Sequence, residues 1–387
     1  MSILSSNYTF KFNTSIEQIG QSVWDELASG CSPFCQYTFL HAIETSGCVA
    51  GKSGWQPFHL VIYQNSLAVG ILPLYKKTHS YGEYVFDFAW ANTYRHYGLN
   101  YYPKLIAAIP FTPVTGPRLM LDSKVDKSQL LPILCKEINY QLEINGMSSM
   151  HWLFVEQDFS ELLLSHGQLQ RRSIQFEWFN NQYTSFEDYL TYFNSRKRKN
   201  VKKERLKITN SGIKVVRVHG ENLTEELMDF FYHCYQQTYL KRSGHNGYLT
   251  ESFFKKVFKD LHNNLMLVIA LKDEQPIASA LFFYDKNQLC GRYWGALQDV
   301  QNLHFECCYY QGIEFCIEQD IAHFNPGTQG EHKILRGFEP IYCYSNHSLK
   351  EPAFQDAIGR FIQQENTQIS QYKNEAEKLL PFRQTED

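Results

Sequence analysis

Residues 265–295, LMLVIALKDEQPIASALFFYDKNQLCGRYWG, decide the fold. They hold three apolar runs of strand length, Leu265–Leu271, Ile277–Tyr284 and Gln288–Gly295, rich in aliphatic and aromatic side chains. Two short polar stretches with turn chemistry, Asp273–Pro276 and Asp285–Gln288, separate them. Strands joined so tightly read as an antiparallel run. Leu303–Asp320 follows with helical periodicity and reads as a long helix. Short extended pieces come next at Ala322–Phe324, Lys333–Gly337 and Tyr342–Tyr344, then a polar helical tail from Glu351.

Upstream of the run lie two helices, Thr224–Tyr239 and Thr250–His262, the first opened by Thr224 with acids in its first turn. Before them a strand, Ile213–Val218, follows a helix, Ser185–Asn210, that stops at Ser211–Gly212. The N-terminal half has the same order. Helices at Ile16–Leu27 and Phe39–Thr45 precede a hairpin, His59–Tyr63 with Ala68–Lys76, and strands at Val85–Ala89 and Thr115–Leu121. Trp90–Pro113 fits no period and reads as an ordered aromatic insertion. Helix Lys127–Glu143, strand Met150–Val155, helix Phe159–His166 and strand Ser173–Trp178 close the cycle. With 387 residues the chain exceeds what one core fills. The expectation is an α/β (α+β) protein of two domains, 1–180 and 181–387, each a mixed, mostly antiparallel sheet flanked by helices.

Hydrophobic residues make up 43% of the chain and charged residues 20%, which supports packed cores rather than disorder. The N-terminal stretch has no basic region followed by an apolar run, and no window is apolar enough to span a bilayer, so a soluble cytoplasmic protein is expected. The ten cysteines then read as reduced, and their spacing completes no zinc-like pair, so no metal is expected.

Arg196–Lys207, RKRKNVKKERLK, carries eight basic side chains and one acid in a chain of net charge −3. Charge this concentrated on a helix suits a polyanion: a coenzyme phosphate, an RNA backbone or an anionic lipid. Direct DNA binding is not expected, because no helix with base-reading spacing is visible.

Several strings together resemble the bacterial FemAB-like predicted N-acyltransferases: Tyr81–Asp87, Tyr101–Leu105, Pro110–Arg118, Ser195–Asn200, Gly291–Gly295, Leu303–Glu306, Cys308–Gln311 and Gln329–Lys333. That resemblance implies a tandem GCN5-related N-acetyltransferase (GNAT) architecture and acyl transfer to an amine, from acyl-CoA or from aminoacyl-tRNA. One departure stands out. GNAT proteins that use acetyl-CoA place a glycine-rich loop before the central helix, where backbone N–H groups cradle a pyrophosphate; here the equivalent stretch, Gly295–Leu303, reads GALQDVQNL. The overall charge argues against wholesale RNA wrapping and tilts the donor toward acyl-CoA.

Transfer to an amine needs a proton acceptor and donors for the oxyanion. The candidate catalytic residues are Glu331, His332 and Lys333, after the glycines Gly327 and Gly330, and Glu306 at the start of the long helix. Arg292, Tyr293 and Trp294, with Arg196, Arg198 and Lys199, are candidates for holding the donor. In the first domain His79, Tyr81, Glu83, Asp87, Tyr102 and Lys104 combine aromatic walls with a few charges, the make-up of a pocket for a small-molecule or peptide amine. The competing reading is a non-catalytic GNAT-like module that binds a phosphorylated or nucleotide-linked metabolite through the same basic helix.

Overall fold

The structure, a computed structural model, describes residues 8–328 and 330–383; Gln329, part of the string 329–333, lies outside them. The chain divides into two compact units. One is Met1–Ser173 with Cys343–Ile369, and the other is Ile174–Tyr342 with Ser370–Asp387. The units therefore do not follow a single cut near residue 180, since residues 343–369 return to the first. Two contacts bring them back. Residues 344–349 pair antiparallel with 149–155, and Phe354, Ile358 and Ile362 share a core with Trp90, Tyr94 and Tyr101.

In the second unit four strands run antiparallel in order: Ile213–His219, Leu265–Lys272, Gln275–Tyr284 and Gln288–Ala296. The last then pairs in parallel with His323–Asn325. The central helix is irregular: α over Leu303–Phe305, π over Glu306–Tyr310, and α again over Gln311–Glu318. Leu303, Cys307, Tyr310 and Ile313 sit in a core with Met266, Val268, Phe282 and Leu289 from the strands. Helix Glu225–Ser243 lies against strand Gln288–Ala296, where Gly295 is required because a Cβ there would stand 2.0 Å from the Cys234 carbonyl oxygen.

Two expectations are corrected here. The helix expected over 185–210 is two, Phe186–Thr191 and Ser195–Asn210, because Asn194 caps the second by accepting from the Lys197 N–H. The extended piece expected at Lys333–Gly337 is a 3₁₀ helix, Glu331–Arg336.

The first unit carries one antiparallel sheet, Tyr8–Asn13, His59–Gln64, Leu67–Leu72 and Met120–Leu121. In another group, Leu74–Lys77 pairs antiparallel with Trp55–Pro57 and with Lys104–Ala107, and the last runs parallel to Ser149–Val155. Pro73 separates the long hairpin arm expected at 68–76 into members of both groups. The strand expected at Val85–Ala89 is absent, and Trp90–Pro113, an ordered stretch expected to fit no period, holds regular elements. Helix Phe88–His96 and strand Lys104–Ala107 occupy this stretch, because Trp90, Ala91 and Tyr94 form an apolar stripe buried by residues 354–362. Among the described residues no helix is long and apolar enough to cross a membrane, and no group of His, Cys, Asp or Glu is placed to hold a metal ion.

Candidate active site in the second unit

The parallel pairing of strand Gln288–Ala296 ends at Cys290, opposite Asn325. From Pro326 the other chain passes through Gly327 and Gly330, with φ of 95° and 114°, into the 3₁₀ helix. In open α/β sheets ligands sit outside the carboxyl ends of parallel strands. Arg292, Tyr293 and Trp294 lie on the strand just past that point.

Side chains from three elements converge there. The edge of His304 meets Trp294 at 5.5 Å between ring centroids and Tyr309 at 5.2 Å. The wide π turn is what lets residues five apart face each other. From the 3₁₀ helix His332 comes within 5.9 Å of the His304 ring and 5.4 Å of Phe305, and its Nε2 is 2.7 Å from the Tyr309 hydroxyl. Gly330 makes room for it, since a Cβ there would stand 2.2 Å from the His332 ring.

This cluster is rich in cations and poor in carboxylates. Lys333 is 1% exposed and donates to the Gly327 carbonyl at 2.6 Å. Burial brings its ammonium down to about 7. His332 is held below its ordinary value by burial, then by Arg336 and Lys333. Burial, with His332, Arg242 and the same cations, takes His304 down to about 3. Burial also pushes the Tyr309 phenol well above its ordinary range, so it stays protonated. Arg336 is fixed on three sides: its guanidinium lies 3.5 Å from the Phe305 ring centroid, donates to the His332 carbonyl at 2.7 Å, and pairs with Glu204 at 2.8 Å. At neutral pH the cluster offers unprotonated imidazoles and a readily deprotonated amine, the equipment of general acid–base chemistry, beside a phenol that stays protonated as a hydrogen-bonding group.

The expected catalytic residues separate. His332 and Lys333 lie in the cluster. Glu306 is buried and paired with Arg205 at 2.9 and 3.1 Å, and it also accepts from Gln311 at 2.8 Å. Glu331 points outward and accepts from the Tyr372 hydroxyl at 2.9 Å. Of the donor candidates, Trp294 touches the cluster, the Arg292 guanidinium lies 5.3 Å from the Tyr293 ring, and Tyr293 packs edge-on to Tyr235 and Phe254. Arg196 and Lys199 are exposed and Arg198 half-buried, in no ion pair among the described residues. The basic helix is instead pinned to the central helix by Arg205, which also binds Glu314 at 2.6 Å.

In the first unit the expected binding residues split by chemistry. Lys104 is fully buried, 2.7 Å from Glu83 and in contact with Asp87 and Ser80. Burial raises Glu83 to about 7. Burial alone would raise Asp87 too, but Lys104 outweighs it and holds that carboxyl well below its ordinary range. Tyr102 joins this group through Ser80, at 2.7 Å, while His79 contacts the Lys52 carbonyl at 3.3 Å and Tyr81 is exposed. Sequence reasoning missed Tyr309 and Arg336 as site members and read His304 as a capping or packing residue. The available signals were the proximity of Arg336 to the 331–333 trio and the position of His304 and Tyr309 inside the family strings Leu303–Glu306 and Cys308–Gln311.

The sequence profile of the FemAB-like family, described as peptidoglycan biosynthesis and recognition, matches residues 15–384. No curated protein matches the chain in sequence. Among solved structures, FemX has a TM-score of 0.53 at 9% identity, covering 91% of this chain and 100% of its own. A conserved protein of unknown function from Bacteroides thetaiotaomicron VPI-5482 has 0.52 at 10%, covering 89% and 100%. A tandem GNAT protein from the clavulanic acid biosynthesis pathway has 0.46 at 7%, covering 89% and 99%. Identities this low speak to the fold alone.

Proposed function

The chain belongs to the FemAB-like family, and on that premise we propose that it is an N-acyltransferase, moving an acyl group from acyl-CoA or aminoacyl-tRNA to an amine acceptor at the cluster of the second unit. The observation that carries this reading is the buried Lys333 beside His332 and Tyr309, a set with no carboxylate paired to it among the described residues. In the reaction the amine attacks the carbonyl carbon and a C–N bond forms. His332 or Lys333 takes the proton the amine loses, the C–S or C–O bond breaks, and that proton passes on to the leaving group. Arg336, held rigid by Glu204 and Phe305, adds positive potential where the oxyanion develops.

The donor's phosphates fall to the free cations Arg196, Arg198 and Lys199, with Arg292 and Trp294 nearer the chemistry. The central helix starts at Asn302 without glycines and carries Glu306 in its first turns, which makes its N-terminus a poor pyrophosphate cradle. On the acceptor side, the family description makes an amine of a peptidoglycan precursor the first class to try.

The test is in two parts. Thermal stabilisation by acetyl-CoA, a longer acyl-CoA, CoA and bulk aminoacyl-tRNA identifies the donor class, because a ligand that binds only the folded chain raises its midpoint. Transfer is then measured with wild type, His332→Gln and Lys333→Met. Product lost with donor stabilisation kept supports the enzyme. Donor binding without transfer to any amine identifies a binding module instead.

A further inference from the structure

Residues 81–88 of the first unit present three neighbouring rings to solvent. Tyr81, Phe86 and Phe88 are 60%, 63% and 43% exposed. Ring centroids lie 6.0 Å apart for Tyr81 and Phe88, and 6.4 Å apart for Phe86 and Phe88. The backbone beneath them is fastened from inside. Lys77 donates to the Tyr81 carbonyl at 3.1 Å and Arg171 to the Phe86 carbonyl at 2.9 Å, while Glu365 grips Arg171 at 2.6 and 2.7 Å. Neighbouring rings held outward by polar anchors mark a contact surface better than isolated exposed apolar residues do.

Glu365, which holds Arg171 under Phe86, is committed to that ion pair at 2.6 Å. Residues 78–121 contain only two acids, Glu83 and Asp87, and both are buried against Lys104. Arg95, seven residues after Phe88 and so on the same helix face, is exposed and in no ion pair among the described residues. We propose that this patch docks on an anionic phospholipid surface, the three rings entering the headgroup boundary and Arg95 meeting lipid phosphate. A sugar platform would keep carboxylates beside the rings as acceptors, whereas here both are turned inward and committed to Lys104. The proposal stands apart from the transferase reading, because docking needs none of the second unit's chemistry.

Co-sedimentation of the full chain with vesicles tests it, using phosphatidylcholine alone and mixed with phosphatidylglycerol. The wild type should bind the anionic vesicles, more weakly as salt rises. Phe86→Ser with Phe88→Ser should lower the partition coefficient by at least about tenfold, and Arg95→Glu by about tenfold. Leu67→Ser, an equally exposed apolar change away from the patch, should leave it unchanged. Circular dichroism melts establish that each variant is folded. A wild type that stays in the supernatant with anionic vesicles at low salt overturns the proposal, as does binding that the double variant does not reduce. A concentration-dependent dimer that the double variant abolishes, without vesicle binding, overturns it in favour of a second copy on the same patch.

Discussion

Two buried lysines, one in each unit, sit in opposite electrostatic surroundings. Lys104 is fully buried against Glu83 and Asp87, and although burial alone would lower its pKa, the two carboxylates hold it above the ordinary value. Lys333 is buried as deeply but has a carbonyl for its partner, and burial takes it down to about 7. Depth is the same, so the partners decide. A compensated cluster fixes the shape of a loop. An uncompensated one stores a group that can change protonation near neutral pH, and such groups gather at functional sites.

The sharpest way to break this comparison is to remove each lysine. Lys104→Met leaves two buried carboxylates without their cation and should cost about 3–5 kcal/mol, read from denaturant unfolding of the first unit. Lys333→Met should cost little stability yet lower acyl transfer by about 10²–10³-fold. A large stability loss with unchanged transfer would make Lys333 structural, like Lys104.

Next in size is the pinning of the basic helix. Arg205→Ala strands the buried Glu306 and should cost about 2 kcal/mol, while Arg196→Ala should change stability by less than about 0.5 kcal/mol. If the two are equal, the split of that helix into a pinned part and a free part is wrong.

A pH dependence of stability gives a separate test, with opposite sign for Glu83 and Lys333. Glu83 stands at about 7 when folded against an ordinary 4.5, so the folded chain binds more protons between those values and stability falls as pH rises through that window. Lys333 stands at about 7 against 10.5, so the unfolded chain binds more protons and stability rises with pH from 7 to 10.5. Glu83→Gln should flatten the first slope. Lys77, also lowered to about 7 by burial, shares the second slope, so Lys333→Met should remove only part of it.

The antiparallel run at 265–295 was legible because strand length, apolar content and turn residues all agree there. Helix Phe88–His96 was not, because its apolar stripe is completed by residues 354–362, far along the chain, and the local pattern holds only half of the contact. The site shows the same limit. Glu331, His332 and Lys333 are consecutive, and the sequence gives them one character. The 3₁₀ turn sends the first to solvent, the second to Tyr309 and the third inward. Glu306 and Arg205 were each visible, but their pairing depends on how the basic helix lies against the central one.

Carbon-13 NMR of the full chain labelled at lysine Cε, titrated from pH 5 to 11, tests the central contrast most directly. The account predicts two lysines titrating near 7, assigned by their loss in Lys333→Met and Lys77→Met, and a Lys104 signal that does not titrate in this range. A Lys333 signal that titrates with the surface lysines near 10.5 would contradict it.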